Sequence, residues 1–153
     1  MAALLDIPVL ATRHVPKAFG DVVEEISSLN HPGRQLFDKH TFSMVGCEDL
    51  KQELQKQREA GRCNVVVYGT ETHVCIKQTC FDLLLSNFSV AVPVDCITSI
   101  TTLDHEVALR SLEKSQIDLT TFQSLVFELL RDSKHPKFKD MLAIVKDSPP
   151  VKK

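Results

Sequence analysis

Hydrophobic positions along this chain fall into two kinds of run. Some are short, β-branched blocks without polar alternation; others are longer segments whose apolar residues recur at three- and four-residue spacing. Residues 7–12 (IPVLAT), 63–68 (CNVVVY) and 90–94 (VAVPV) are of the first kind. They predict strands buried on both faces, as in a parallel sheet, the first entered from the end of a helix and the last ending near Pro93, which cannot donate to a ladder. Residues 35–39 and 117–122 are weaker strand signals. Gly69 and Thr70 are expected to break the 63–68 strand.

The second kind predicts helices. Residues 47–60, with Leu50 and Leu54 at i, i+4 spacing, read as an exposed helix ended by Gly61. Residues 73–86 read as a helix packed on a sheet and closed by Asn87. Thr101 or Thr102 can cap a helix running to about Ser115, with Asp104 and Glu106 in its first turn. Residues 122–130 and 136–145 supply two more helices, and 21–28 a short one before a turn at 30–33. Strands alternating with helices imply an α/β domain over residues 1–146, with a mostly parallel sheet covered on both faces, and 147–153 as a frayed, flexible tail. Ligands of such sheets gather beyond the strands' carboxyl ends, here after Thr12, Lys39, Tyr68, Val94 and Phe122.

Composition narrows the partners. The 153 residues are 43% hydrophobic and 25% charged, with formal net charge −2 and no basic block. Neither nucleic acid nor an anionic membrane is an expected partner; small uncharged or anionic ligands remain open. No apolar run is long enough to span a bilayer. Residues 1–10 lack a basic n-region and are interrupted by Asp6 and Pro8, so they read as mature structure. The five cysteines, odd in number and mostly in apolar runs, suggest a reducing compartment and the cytosol. Cys75 and Cys80 are too widely spaced for a C-x-x-C pair and His73 stands alone beside them, so no metal and no cofactor are expected.

The candidate chemistry lies where the 63–68 strand gives way to a helix: Gly69-Thr70-Glu71-Thr72-His73-Val74-Cys75-Ile76. A cysteine in a first helical turn meets unpaired backbone N–H groups and the positive end of the dipole, which favour its thiolate. By spacing alone Cys75 reads better as a small buried residue, as do Cys47, Cys63, Cys80 and Cys96. His73, two residues away, would point to another face and is not its base. Lys39 alone reads as a solvated lysine.

Taken together, these segments resemble the isochorismatase-like hydrolases. Phe37-Asp38-Lys39-His40-Thr41-Phe42-Ser43 is similar to that family's K-x-x-F-S lysine segment, and the 69–76 segment to its G-x-x-T-x-x-C-V nucleophile segment. Val94-Asp95-Cys96 followed by Ser99 is similar to its D-x-x-x-S strand end, and His135 to Lys139 to the tail of its eukaryotic isochorismatase domain-containing subgroup. The resemblance implies a three-layer, Rossmann-like αβα sandwich with its first central strand missing. It also implies a Cys–Asp–Lys triad that hydrolyses a small amide or related bond, with Cys75 as nucleophile and Lys39 as charge partner. The backbone N–H groups of Glu71 and Cys75 would form the oxyanion hole, beside a cis Thr70–Glu71 peptide, and Thr72 matches the family's threonine.

The family's aspartate ends that first strand in a segment like D-x-Q, and nothing here matches it. Asp6 precedes its strand, and Asp38 would point away from Lys39. Two readings follow: a cysteine hydrolase lacking part of its triad, or a non-catalytic interaction and oligomerisation module. Zinc, which the nicotinamidase branch holds through an Asp-x-His pair, has no such pair between Thr12 and Lys39. Homo-oligomers are common in the family, and a mitochondrial address would require a further amino-terminal segment.

Overall fold

The computed structural model describes residues 1–29 and 31–148. Asn30 of the expected turn and residues 149–153 of the expected tail lie outside the described residues. A single 3₁₀ turn, Ala2–Leu5, leads into β1 (Val9–His14). Two short helices, α1 (Pro16–Phe19) and α2 (Glu24–Ser27), follow before β2 (Arg34–Lys39). Then come α3 (Glu48–Glu59), β3 (Asn64–Val66), β4 (Gly69–Thr70), α4 (Lys77–Leu85), β5 (Ser89–Pro93) and β6 (Ile97–Thr98). The chain continues through α5 (Thr102–Glu113), β7 (Asp118–Thr120), α6 (Phe122–Leu130) and α7 (Phe138–Asp147). Asp147, placed in the tail by sequence, is the last helical residue, and Ser148 closes α7 by a backbone N–H bond to the Ile144 carbonyl at 3.1 Å.

All strand pairs are parallel: β1 with β2, β3 with β5, β5 with β7, and β4 with β6. This is the mixed α/β, Rossmann-like three-layer sandwich expected from the valine-rich, non-alternating strands. Local chemistry sets its punctuation. Gly61 at φ +84° and Asn87 at φ +59° take left-handed conformations directly after α3 and α4, which stops each helix. The Thr101 and Thr121 hydroxyls accept the N–H groups of Asp104 and Ser124, capping α5 and α6.

Three details depart from the sequence expectations. Gly69 and Thr70 do not merely interrupt a strand; they form β4, paired in register with Ile97 and Thr98. The 73–86 helix opens as a π turn, Thr72–Ile76, before becoming regular at Lys77. Burial is also less complete than continuous apolar runs suggest, since every residue of β1 is only half-buried and Tyr68 is 59% exposed.

The main core lies in the second half of the chain, where Val67, Ile76, Cys80, Leu83, Val90, Val92, Ile97 and Leu112 pack among β3, β5, α4 and α5. A second cluster joins Val126 and Leu130 of α6 to Met141 of α7, with Leu4 and Leu5 against it. Among the described residues β1 pairs only through its β2 edge and β3 only through its β5 edge.

Candidate active site

Two strand ends and one turn build the site. β1 and β2 run in register to their last residues, so His14 and Lys39 lie side by side. The pair is tightened by the Val15 N–H, which donates to the Lys39 carbonyl at 3.0 Å. Val15 does so at φ +42°, a costly conformation for a β-branched residue. Side chains alternate across a strand, which sends the preceding pair to the other face. There the Arg13 guanidinium bonds the Asp38 carboxylate at 2.8 Å and Asp21 at 2.9 Å. These hydrogen bonds, Asp38 first, hold Arg13 above its ordinary pKa, and Arg13 holds Asp21 below its own.

Lys39 is only 4% exposed. Its Nζ donates to the Thr41 and Phe42 carbonyls, each at 3.0 Å, lies 3.3 Å from His14 Nδ1, and reaches Cys75 Sγ at 3.5 Å. Among the described residues no carboxylate forms an ion pair with it. A buried cation without a counter-charge is costly, and the groups around this one are two carbonyls, an imidazole and the Cys75 sulfur.

Cys75 is positioned by the turn after β4. The Thr70–Glu71 peptide is cis. The Glu71 carbonyl then accepts the N–H groups of Val74 at 3.2 Å and Ile76 at 3.1 Å, closing the π turn that carries the cysteine. Three bonds tie this turn to α5 and the segment leading into it. The Ile100 N–H donates to Glu71 Oε2 at 2.7 Å, His73 Nδ1 meets Ser99 Oγ at 3.1 Å, and Thr72 Oγ1 meets His105 Nδ1 at 3.0 Å. Thr72 is fully buried.

Lys39 and Cys75, far apart in sequence, are thus brought together, with Thr70, Glu71 and Thr72 alongside. His73 turns away to Ser99, as its spacing suggested. Sequence reasoning passed over His14 and His105. The signal for His14 was its place at the carboxyl end of the first strand, opposite Lys39; His105 gave none beyond its position in a capped first turn. Asp95 does not face Lys39; its Oδ1 accepts the Phe122 N–H at 2.8 Å, at the start of α6.

The remaining thiols differ. Burial pushes Cys80 up to about 12, and burial with the neighbouring Asp95 pushes Cys96 up to about 11. Cys63 is exposed and Cys47 half-buried, its thiol 3.6 Å from the Asp38 carbonyl. The His14 imidazole stacks on Phe42 and meets Phe19 at a tilt, each ring centroid 5.6 Å away. Burial first, then Lys39 and His40, lower its pKa below the ordinary 6.5. Among the described residues no group of three or more His, Cys, Asp or Glu is placed to hold a metal ion.

The parallel α/β fold that carries this lysine and cysteine is shared with proteins of known structure. Residues 1–124 match the Isochorismatase domain, and the chain belongs to that family. It is 38% identical over 149 residues to Isochorismatase domain-containing protein 1 of Salmo salar, covering 97% of this chain and 51% of that protein. It is 37% identical over 150 residues to Isochorismatase domain-containing protein 2 of Rattus norvegicus, covering 98% and 68%. The chain therefore spans about half the length of the first of these relatives. Among solved structures, the MAR1 ribonuclease of Caenorhabditis elegans superposes with TM-score 0.89 at 33% identity, over 97% of this chain and 74% of that one. The YcaC gene product of Escherichia coli, described as an octameric hydrolase of unknown specificity, gives TM-score 0.79 at 17% identity, over 95% and 76%; this likeness is one of fold.

Proposed function

We propose that this isochorismatase-family domain is a cysteine hydrolase acting on a small amide or related bond. The observation that carries the reading is the buried Lys39 ammonium 3.5 Å from Cys75 Sγ. In water that contact would be worth little. At an effective dielectric near 20 a full ion pair at this distance is worth on the order of 4–5 kcal/mol before desolvation is subtracted. The thiolate would attack the carbonyl carbon, and the backbone N–H groups of Glu71 and Cys75 would hold the developing oxyanion. The cis Thr70–Glu71 peptide and the π turn orient that stretch of backbone. No metal or other cofactor enters the proposed chemistry.

A panel of small amides, assayed with the purified chain and with Cys75→Ala, tests the reading. Turnover that disappears in Cys75→Ala supports it; turnover unchanged by that substitution sinks it. The ribonuclease description of the C. elegans protein is not carried over, because a chain of net charge −2 without a basic block lacks the electrostatic footprint of an RNA-binding surface.

A second reading, a non-catalytic interaction and homo-oligomerisation module, is favoured by a different observation. Leu103 and Val107, four residues apart on α5, and Ile100 just before it are exposed apolar residues, at 69%, 47% and 86% exposure. Exposed apolar surface of this kind serves association. The octameric description of the E. coli protein fits the same direction. Light scattering of the intact chain and of Leu103→Glu separates the two: a monomer in both removes the oligomer proposal. The cytosol is the proposed location, on free cysteines alone; fractionation to another compartment would overturn it.

A further inference from the structure

We infer that Phe19 is a specificity-determining residue for the Cys75 site: carried on a hinged turn at the edge of the pocket, it gates approach to the thiol by the size of the incoming group. The inference rests on the reading of Cys75 as nucleophile and adds to it a class of substrate, uncharged amides that are slim beside the carbonyl.

Chain connectivity puts Phe19 there. α1 follows β1 directly, so it begins where His14 meets Lys39. A chain of contacts leads outward from the sulfur: Lys39 Nζ lies 3.5 Å from Cys75 Sγ, His14 Nδ1 lies 3.3 Å from Nζ, and the Phe19 ring centroid lies 5.6 Å from that of His14. Exposure rises along it, from 4% at Lys39 to 75% at Phe19. Phe42, 51% exposed, stacks on the same imidazole. The two phenyl rings therefore give the pocket an apolar outer edge, where a charged group would lose water without gaining a partner.

The turn that carries Phe19 has a hinge at each end. Val15 before it is at φ +42°, and Gly20 after it is at φ +84°, ψ −173°, a region open essentially only to glycine. Between these residues the backbone bonds only to itself: Ala18 and Phe19 N–H donate to the Val15 carbonyl at 2.8 and 3.1 Å, and Gly20 N–H to the Pro16 carbonyl at 2.9 Å. Among the described residues no hydrogen bond joins Pro16–Gly20 to another element. Both flanks are anchored, Val15 by its N–H on the Lys39 carbonyl and Asp21 by its ion pair with Arg13, which confines movement to the residues between them.

Space is available for that movement. A pocket of about 160 Å³ lined by Val15, Pro16, Lys17, Asp38 and His40 lies against the start of α1. The Asp38 side chain belongs to the sheet face opposite Lys39, where it bonds Arg13. α1 thus has one aromatic contact on the side of the site and unfilled space on the other. A few terminal residues that absorb a change in φ and ψ are the usual hinges of a gate over an active site. With Phe19 resting on His14, a slim group passes to Cys75, and a branched one must first displace the turn.

The test compares alkylation by iodoacetamide and by its N-tert-butyl derivative, with every cysteine quantified by mass spectrometry, in the wild-type chain, Phe19→Ala and Gly20→Ala. Each Cys75 rate is divided by that of the exposed Cys63 with the same reagent, which removes the reagents' intrinsic difference. A Cβ at Gly20 meets no atom within 4 Å, so Gly20→Ala acts through the hinge alone. The expected wild-type ratio falls roughly tenfold from the small reagent to the branched one, a size discrimination within the range of closed pockets. Phe19→Ala and Gly20→Ala should each raise the branched-reagent ratio toward the iodoacetamide one. A wild-type ratio equal for the two reagents, or a Phe19→Ala chain that keeps the fall, overturns the inference. So does a gain at Cys75 accompanied by labelling of the fully buried Cys80, which would report a loosened fold instead of an opened gate. Should Gly20→Ala fail to fold, Phe19→Ala decides, since it truncates an exposed side chain. Wild-type Cys75 reacting no faster than Cys63 with iodoacetamide sinks the nucleophile reading instead, and the size ratio, which reads access alone, still judges the gate.

Discussion

At the scale of single residues, the site is held by close packing as much as by charge. A Cβ added at Gly46 would lie 2.6 Å from Thr41 Oγ1 and 2.8 Å from Thr41 Cβ, so Thr41 must move. Its carbonyl is one of the two that hold Lys39. Gly46→Ala is therefore expected to cost about 1–3 kcal/mol, the usual range for overpacking, and also to slow Cys75 alkylation. Denaturant melts and alkylation rates on the same sample check both, and a destabilised variant with an unchanged rate would uncouple Gly46 from the site. Lys39→Met removes the cation outright and should slow Cys75 alkylation at neutral pH by at least roughly tenfold, equivalent to about 1.4 kcal/mol. Cys80 and Cys96, with pKa values pushed to about 12 and 11, should stay unlabelled in native protein. Sequence patterns located Cys75 and Lys39 because motif order survives in one dimension. They could not reveal that Lys39 is buried, since lysine is overwhelmingly a surface residue and only the convergence of two chain segments buries this one. For His14 the sequence offered only its place at the carboxyl end of the first strand; its contact with Lys39, 25 residues away in sequence, was not legible.

At the scale of elements, the long helices were legible because one period dominates each, and the valine-rich strands because their apolar runs are continuous. α6 occupies Phe122–Leu130, the residues that the apolar spacing assigned to it. The β4 pair and the π turn were not, because a two-residue strand and a single widened turn have no period to detect. Both arise from the tertiary fit between the Cys75 turn and the segment before α5. That fit makes the α5 cap matter beyond its own helix. Thr101 Oγ1 accepts the Asp104 N–H at 3.1 Å, and one turn in, His105 reaches Thr72 at 3.0 Å. Thr101→Ala should cost about 1 kcal/mol of stability, measured by urea unfolding. Hydrogen exchange should show the fraying carried into Thr72–Ile76, the turn that holds Cys75. Thr101→Ser, which keeps the hydroxyl, should restore both. Fraying confined to α5 would show that the His105–Thr72 contact transmits nothing.

For the whole molecule, the arrangement of the two apolar clusters and of the titrating groups sets how the fold responds to acid. Neither cluster includes a residue of β1 or β2, so the half of the sheet that carries His14 and Lys39 is supported by its own pairing and by the groups around Lys39. His14 has its pKa lowered from 6.5 in the folded chain. The unfolded chain therefore binds more protons there, and stability must fall as pH drops below about 6.5 toward the lower folded value. Asp21 and Glu53 are also lowered, Asp21 first by Arg13 and Glu53 first by Gln57. Carboxylates of that kind contribute above their ordinary values of 3.8 and 4.5 and lose that contribution as pH falls through the folded ones. The loss of stability should therefore come in two windows, the first from the β1–β2 half and the second from exposed ion pairs and α3. Thermal melts across mildly to strongly acidic pH resolve them. His14→Gln removes the titrating group while keeping an acceptor for Lys39, so it should flatten the first window and leave the second intact. A first window that persists in His14→Gln would assign it to another group, and His14 would then not be the residue through which acid reaches the Lys39 pocket.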